Sequence, residues 1–460
     1  MMCLNFVIQV FCTILCLNFS TFLGQINCSV ANSSKLIDVN EKKFDNLQTH
    51  YNGFKVVRVS PQSQNGLDYL RNLSSISDGG VDFWKEPSIL NMPVDIMISP
   101  GRMALLSEKF EQFEMNPQIL IEDVESERER EQKLSDDIVY RYGAGHYQDL
   151  SFFKEYQRLD QIYSYIRDLQ NQHRDMMQIE TIGRTTEGRD IRVVKIGYNV
   201  STESKPIIYL QGGIHAREWI ATSTVTYLIY ALVHNKDDPE TKEILSKFDW
   251  YIVPNVNPDG YEYSHTRVRM WRKTRSRQVS NLCIGVDPNR NFGFKWAGEG
   301  TSSIPCSEIY HGPNAFSEPE TRAIRDLILS KGRRVKAFFD VHSYSQYWLI
   351  PWGFTKDLPN DYTDMHRLAT IGARALMSVH GTRYKVGQTT QLLYAAAGGA
   401  DDWAKGTAKI KYSYTIELRD TGRKGFLLPA DQILPTGEET FEGMKKFALE
   451  LASRLPFAKL

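Results

Sequence analysis

The chain has no surplus of charge: Lys and Arg total 55, and so do Asp and Glu, over 460 residues. A balanced surface exerts no long-range pull on nucleic acid or on an anionic membrane, so neither is an expected partner. Internal repeats and low-complexity tracts are absent, which argues against solenoids and disordered arrays. Past the N-terminus no segment is apolar enough to span a bilayer. Cysteine is scarce in the body: of six, Cys3, Cys12, Cys16 and Cys28 fall at the N-terminus, leaving Cys283 and Cys306.

What is present is ordinary globular composition, 42% hydrophobic and 12% aromatic, enough for a large core. The stretch from Phe6 to about Leu23 is apolar, broken by Gln9 and Asn18. It is short for a membrane span and suits the apolar region of an export signal, although no Lys or Arg precedes Lys35. A signal peptide over about residues 1–24 is expected, its end falling between Ser20 and Ala31, and the protein is expected to be secreted and extracellular. An isolated cysteine pair in an exported chain reads as one disulfide, Cys283–Cys306, the alternative being two buried thiols. Asn27, Asn32, Asn72 and Asn199 head Asn-x-Ser sequons, compatible with export.

A charge run from Glu122 to Lys133 marks the clearest boundary. Its i,i+3 pair Glu125/Arg128 and i,i+4 pair Glu129/Lys133 predict a solvated helix. It is also a connector, over residues 125–145, offering Arg128, Arg130, Lys133 and Arg141 to a trypsin-like protease. Before it, residues 40–124 mix strand-like runs (Tyr51–Val59, Val94–Ile98, Gln118–Val124) with helical stretches (Leu67–Leu73, Met103–Phe113), predicting a small α+β domain. From 146 to 460, strand-like runs at Ile191–Ile196, Ile207–Leu210, Tyr251–Pro254, Val335–Asp340 and Ser413–Glu417 alternate with five helical stretches. That pattern predicts an α/β sheet with helices on both faces, with sites at the carboxyl ends of its strands.

Three strand ends carry chemistry. One is followed by Gly-Gly-Ile-His215-Ala-Arg217-Glu218-Trp, in which His-x-x-Glu can present an imidazole and a carboxylate to a metal. The plain alternative for Glu218 is a helix N-terminus, where the dipole favours an acid. A second ends Phe-Asp-Val-His342-Ser-Tyr344, completing a two-His, one-Glu set with an open fourth position. A third ends Tyr-Thr-Ile-Glu417, a carboxylate that is costly in an apolar strand unless it faces a polar cleft or pairs with a neighbour such as Arg419. Arg269-Met-Trp-Arg272 and Asp287-Pro-Asn289-Arg290-Asn291 are dense in anion-binding groups, though charge runs are usually solvated.

Taken together and in order, these segments resemble the pancreatic-type zinc carboxypeptidases A and B, closest to a B-like procarboxypeptidase. The likeness extends from about residue 150 to the C-terminus, with the preceding domain resembling that family's inhibitory prosegment. The resemblance implies a mixed eight-stranded sheet with helices on both faces, preceded by a small antiparallel-sheet prodomain. It also implies one Zn2+ per catalytic domain, held by His215, Glu218 and His342, with Asp287 orienting the first histidine. Glu417 matches the catalytic glutamate, which takes a proton from the attacking water and delivers it to the leaving amine. Arg272 matches the oxyanion partner. Asn289, Arg290 and Tyr394 match the clamp on a substrate's terminal carboxylate, which makes such an enzyme an exopeptidase acting on peptide and protein C-termini. Arg217, Arg269, Tyr344 and Phe426 match residues lining the approach. A monomer is expected.

In the same resemblance Asp401 falls at the base of the side-chain pocket, where A-type enzymes carry an apolar residue and B-type enzymes an Asp. A carboxylate there calls for a C-terminal Lys or Arg. The alternative is that Asp401 faces elsewhere. Ala400 departs from the small hydroxyl residue often found beside it in the family.

Overall fold

In the computed structural model, residues 48–75, 79–132, 150–277 and 283–455 are described. The leader, the sequons at Asn27 and Asn32, Cys28 and the connector beyond residue 132 lie outside them. The N-terminal domain is an antiparallel sheet of β1 (Lys55–Val59), β2 (Val81–Lys85), β3 (Val94–Ile98) and β4 (Gln118–Ile121), in the order β2-β3-β1-β4. Side chains alternate across a strand, so each face has its own residues. Val57, Val59, Ile96 and Ile98 pack with Leu70 and Leu106 of the helices Gln64–Ser75 and Pro100–Gln112. Val56, Trp84, Met97 and Ile121 lie on the other face and pack against Met270, Tyr344, Phe426 and Leu427 of the catalytic body.

β1 begins later than the expected Tyr51, because Phe54 N–H bonds back to Tyr51 O across a turn with Gly53 at positive φ. β2 was not expected, since Asp82 and Lys85 break its apolar pattern. The charge run forms a helix over residues 124–132, but it is not solvated all round. Glu125 is 2% exposed and Arg128 9%, and the two form an ion pair.

The body is a mixed eight-stranded sheet, as expected. Its strands are β5 (Met177–Arg184), β6 (Asp190–Ile196), β7 (Ile207–Gly212), β8 (Asp249–Val253), β9 (Val335–His342), β10 (Tyr347–Ile350), β11 (Lys385–Gln388) and β12 (Tyr412–Glu417). The order is β11-β10-β12-β9-β7-β8-β6-β5, with the central β12, β9, β7 and β8 parallel. Ile208, Leu210, Ile252, Phe339 and Ile416 face helices Leu159–Gln172, Trp219–His234, Tyr362–His380 and Ile433–Arg454. Ile207, Tyr209, Val253 and Phe338 face helix Pro319–Lys331 and Ala400–Gly406 on the opposite side. β5, β10 and β11 escape sequence patterning because they are short or lie at an edge, where one face needs no apolar run. Cys283 and Cys306 are disulfide-bonded, with Cα atoms 4.8 Å apart.

Candidate active site

The carboxyl ends of β7, β9 and β12 meet at one cleft. Register pairs Glu417 of β12 with His342 of β9, so the ends of two parallel strands put both side chains together. β7 turns sharply after Gly212: Gly213 has φ +64°, and a Cβ there would lie 2.4 Å from Thr222 Oγ1. The turn delivers His215 into the cleft, and Glu218 follows as the N-cap of helix Trp219–His234.

His215, Glu218 and His342 are buried, and one ligand atom from each lies within 4.8 Å of the others. Nδ1 of His215 is 2.7 Å from Glu218 Oε1, and Nδ1 of His342 is 3.0 Å from Oε2. Both imidazoles thus turn the same nitrogen toward one carboxylate. Two nitrogens and a carboxylate converging from three sides fit a zinc ion with an open position. Burial alone would raise the Glu218 pKa, but the two imidazoles outweigh it and hold the carboxyl well below its usual range. On the outer side, His215 Nε2 lies 3.1 Å from Asp287 Oδ1, and Arg272 donates to Asp287 Oδ2 at 2.8 Å. Burial opposes ionisation of Asp287, and the neighbouring Arg272 and Arg290 overcome it.

Glu417 is 8% exposed, and its carboxylate makes no hydrogen bond or ion pair among the described residues. Arg419, its alternative partner, binds Glu439 instead. Burial pushes the Glu417 carboxyl up to about 8, with His342 opposing and Glu218 adding to the rise. Arg290 donates to Gly300 O and Asn289 O, while its buried Nη2 has no hydrogen-bond partner among the described residues. Tyr394 stands beside it, ring centroid 5.8 Å from the guanidinium carbon. Asp401 and Asp402 have different surroundings. Asp402 accepts from the backbone N–H of Gly353 and Phe354, a structural role. Asp401 lines the cleft with Thr415 and Gly399, and no cation pairs with it among the described residues.

The cleft wall therefore gathers His215, Glu218, Arg272, Asn289, Arg290, His342, Tyr344, Tyr394, Asp401, Glu417 and Phe426. Asp287 stands behind it. Arg217 and Arg269 are 1% and 2% exposed at the side chain and are not part of that wall.

Residues 162–443 match the family model described as zinc carboxypeptidase, and residues 57–131 match the one described as carboxypeptidase activation peptide. The chain belongs to the zinc carboxypeptidase family. It is 51% identical to carboxypeptidase B of Astacus astacus over 64% of this chain and 96% of that protein. It is 38% identical to carboxypeptidase A2 of Mus musculus over 86% of this chain and 94% of that one. The crystal structure of carboxypeptidase A from Helicoverpa armigera superposes with a TM-score of 0.80 at 30% identity, covering 88% of this chain and 99% of that one. The protein is thus a zinc exopeptidase carrying its activation segment.

That segment of the carboxypeptidase sits on the cleft. Trp84 and Lys85 of β2 form part of the wall, and the Trp84 ring lies 5.0 Å from that of Phe426. Asp82 accepts from Arg217 Nη1 at 2.7 Å, and Glu131 accepts from Arg269 Nε at 2.8 Å. Arg58 donates to both oxygens of Asp95 and to Thr421 O, while Tyr344 OH donates to Asp95 Oδ2 at 2.8 Å. A side chain at Gly422 (φ +105°) would start 2.2 Å from the Arg58 guanidinium, so glycine there admits the contact. Sequence reasoning missed Asp82, Trp84, Lys85 and Glu131, since nothing local shows which surface a domain will cover.

Proposed function

We propose that the chain is the secreted zymogen of a B-type carboxypeptidase, releasing single Lys or Arg residues from peptide and protein C-termini. The observation that carries this reading is Asp401. Its carboxylate is 7% exposed in the cleft wall and has no cationic partner among the described residues. A desolvated, unpaired carboxylate is costly, and a substrate ammonium or guanidinium entering the pocket would offset that cost. Arg can do so with two parallel hydrogen bonds. The Astacus relative's name agrees with this reading.

His215, Glu218 and His342 would hold one zinc ion per catalytic domain, with the outer nitrogen of His215 fixed by Asp287. Zinc, when bound, supplies Lewis acidity toward the scissile carbonyl and acidifies water at the site. Glu417 stands beside the ligands, unpaired among the described residues, takes the proton of the attacking water and passes it to the departing amine. Arg272, held by Asp287, offers its guanidinium to the developing oxyanion. The free Nη2 of Arg290, with Asn289 and the Tyr394 hydroxyl, binds the terminal carboxylate, so only a chain end fits. Arg217, Arg269, Tyr344 and Phe426 line the approach once the prosegment leaves.

The prosegment, residues 40–124, with the helix over residues 124–132 that follows it, keeps the cleft shut until the connector is cut between Arg128 and Arg141. Arg128 is buried and paired with Glu125, whereas Arg130, though it pairs with Glu127, has a 61% exposed side chain and is the more accessible to a trypsin-like protease. The experiment is trypsin activation followed by peptides ending in Arg, Lys, Leu or Phe, with and without a chelator. Cleavage of Arg and Lys ends, abolished by chelation, is expected; preference for Phe would make the enzyme A-type.

A further inference from the structure

The outer nitrogens of the two histidines in the cleft both face a carboxylate, and only one of those carboxylates has been given a role. Asp340 stands two residues before His342 in β9, so strand alternation puts both side chains on the same face. It is fully buried, and its Oδ2 lies 2.9 Å from His342 Nε2. The approach is a close ion-pair contact rather than an aligned hydrogen bond, and Oδ2 has no hydrogen-bond partner among the described residues. The other oxygen is fixed: Gln211 Nε2 donates to Asp340 Oδ1 at 2.8 Å, and Tyr209 OH donates to Gln211 Oε1 at 2.7 Å. Gln211 is the neighbour of Asp340 in register on β7, and Thr415 is its neighbour on β12. Asp340 is therefore held at the centre of the sheet, with one oxygen beside the imidazole and otherwise unpartnered among the described residues.

A second group competes for that nitrogen. Asn289 Nδ2 lies 3.2 Å from His342 Nε2, and Asn289 Oδ1 accepts from Ala400 N–H at 2.9 Å. The Ala400 bond fixes which end of the amide faces the histidine, so Asn289 presents N–H groups there. A neutral imidazole has one protonated nitrogen and one lone pair. With Nδ1 given to a metal, Nε2 must carry the proton. It then has nothing to accept and can only donate, and the otherwise unpartnered Asp340 Oδ2, 2.9 Å away, is the acceptor beside it. The amide of Asn289 is simultaneously released to face the cleft.

We propose that Asp340 is a positioning residue of the metal site: it accepts the Nε2–H of His342, sets the tautomer that ligates through Nδ1, and frees Asn289 for the substrate carboxylate. The two histidines would then be oriented by two carboxylates from different elements, Asp287 from a loop and Asp340 from the same strand as its histidine. This rests on His342 being a ligand. An acid inside an apolar strand, Phe-Phe-Asp-Val-His, was the available sequence signal.

The test is Asp340→Asn in the full-length chain, with Asp340→Ser as a second variant should the first fold poorly and His342→Ala alongside. Zinc affinity is read by competition with a chromogenic chelator, and the metal-loaded proteins are examined for slowly exchanging imidazole N–H proton resonances. Expected are zinc binding weakened by roughly 10- to 100-fold in Asp340→Asn and a shift or loss of one of two such resonances. After activation, the KM for C-terminal substrates should rise as well as kcat falling. A purely structural Asp340 would lower thermal stability while leaving zinc affinity and both resonances unchanged, which would overturn the proposal. If His342→Ala also keeps full zinc, the ligand assignment itself fails; if it loses zinc while both Asp340 variants bind normally, only the role of Asp340 fails.

Discussion

Several charged groups of the prosegment are paired with the body, whereas three groups of the adjoining cleft are left wholly or partly unpaired among the described residues. Across the interface Asp82 meets Arg217, Glu131 meets Arg269, Glu127 meets Lys424, and Asp95, held by Arg58 of its own domain, accepts from Tyr344. In the cleft, Arg290 keeps a free Nη2, Asp401 has no cation, and the Glu417 carboxylate has no hydrogen bond among the described residues. Pairing suits a contact that must hold until a protease acts; open valence suits the proposed role of these groups in meeting a substrate. Ion pairs also suit a reversible cover, because each separated charge regains water when the segment departs, which an apolar seal could not offer.

Breaking an unpaired group should affect turnover with little change in latency. Glu417→Gln keeps the volume and removes the base, so kcat of the activated enzyme should fall by about 10³-fold, with zinc content, measured by metal analysis, unchanged. Near-normal kcat would mean another group activates the water. Asp401→Ile should show a crossing of rates: kcat/KM for C-terminal Arg falling by about 100-fold, the cost of an unmatched buried charge, while that for Leu or Phe rises. A variant in which both fall has a disordered pocket.

Breaking a pair should affect latency with little change in turnover. Asp82→Ala strands the Arg217 guanidinium against the prosegment, so after connector cleavage the prosegment should dissociate about 30-fold faster, roughly 2 kcal/mol. Activity appearing after a trypsin pulse would time this, and an unchanged lag would show that the apolar contacts of Trp84 and Phe426 hold the segment without the pair.

The smallest expected effect is one of pH. Burial pushes the Asp401 carboxyl up to about 6, Asp340 adding to the rise, while hydrogen bonds from Asp402 N–H and Thr415 oppose it. A raised pKa means the folded protein holds that proton below about 6 and releases it above, so the partner of a cationic side chain becomes fully present only as pH rises through 6. The ratio of kcat/KM for Arg over Leu should therefore climb up to about tenfold per pH unit below 6 and level off above. Taking the ratio cancels titrations of the shared catalytic groups, and a flat ratio would remove Asp401 from recognition.

Much of the molecule is legible in the sequence because its signals are local. Five body strands and their helices follow from apolar periodicity, and the ends of β7, β9 and β12 announce His215, His342 and Glu417. The disulfide follows from cysteine scarcity. The charge run was legible as a helix but not as a partly buried one, since charge alone does not reveal that Glu131 has Arg269 opposite it. β2 was hidden by Asp82 and Lys85, whose reason for lying in a strand belongs to the other domain.

Sequence alone determined which residue types could do the chemistry and in what order they come. Only the tertiary structure decided which of two adjacent acids, Asp401 or Asp402, faces the cleft: Asp402 is taken by the backbone of Gly353 and Phe354, some fifty residues away in the chain. It likewise decided that Asp340 lies against His342 Nε2 with Gln211 behind it. The physical reason is common to both. A buried polar group takes its role from the partners that remain open to it, and those partners come from strands and loops that meet only when the sheet is assembled.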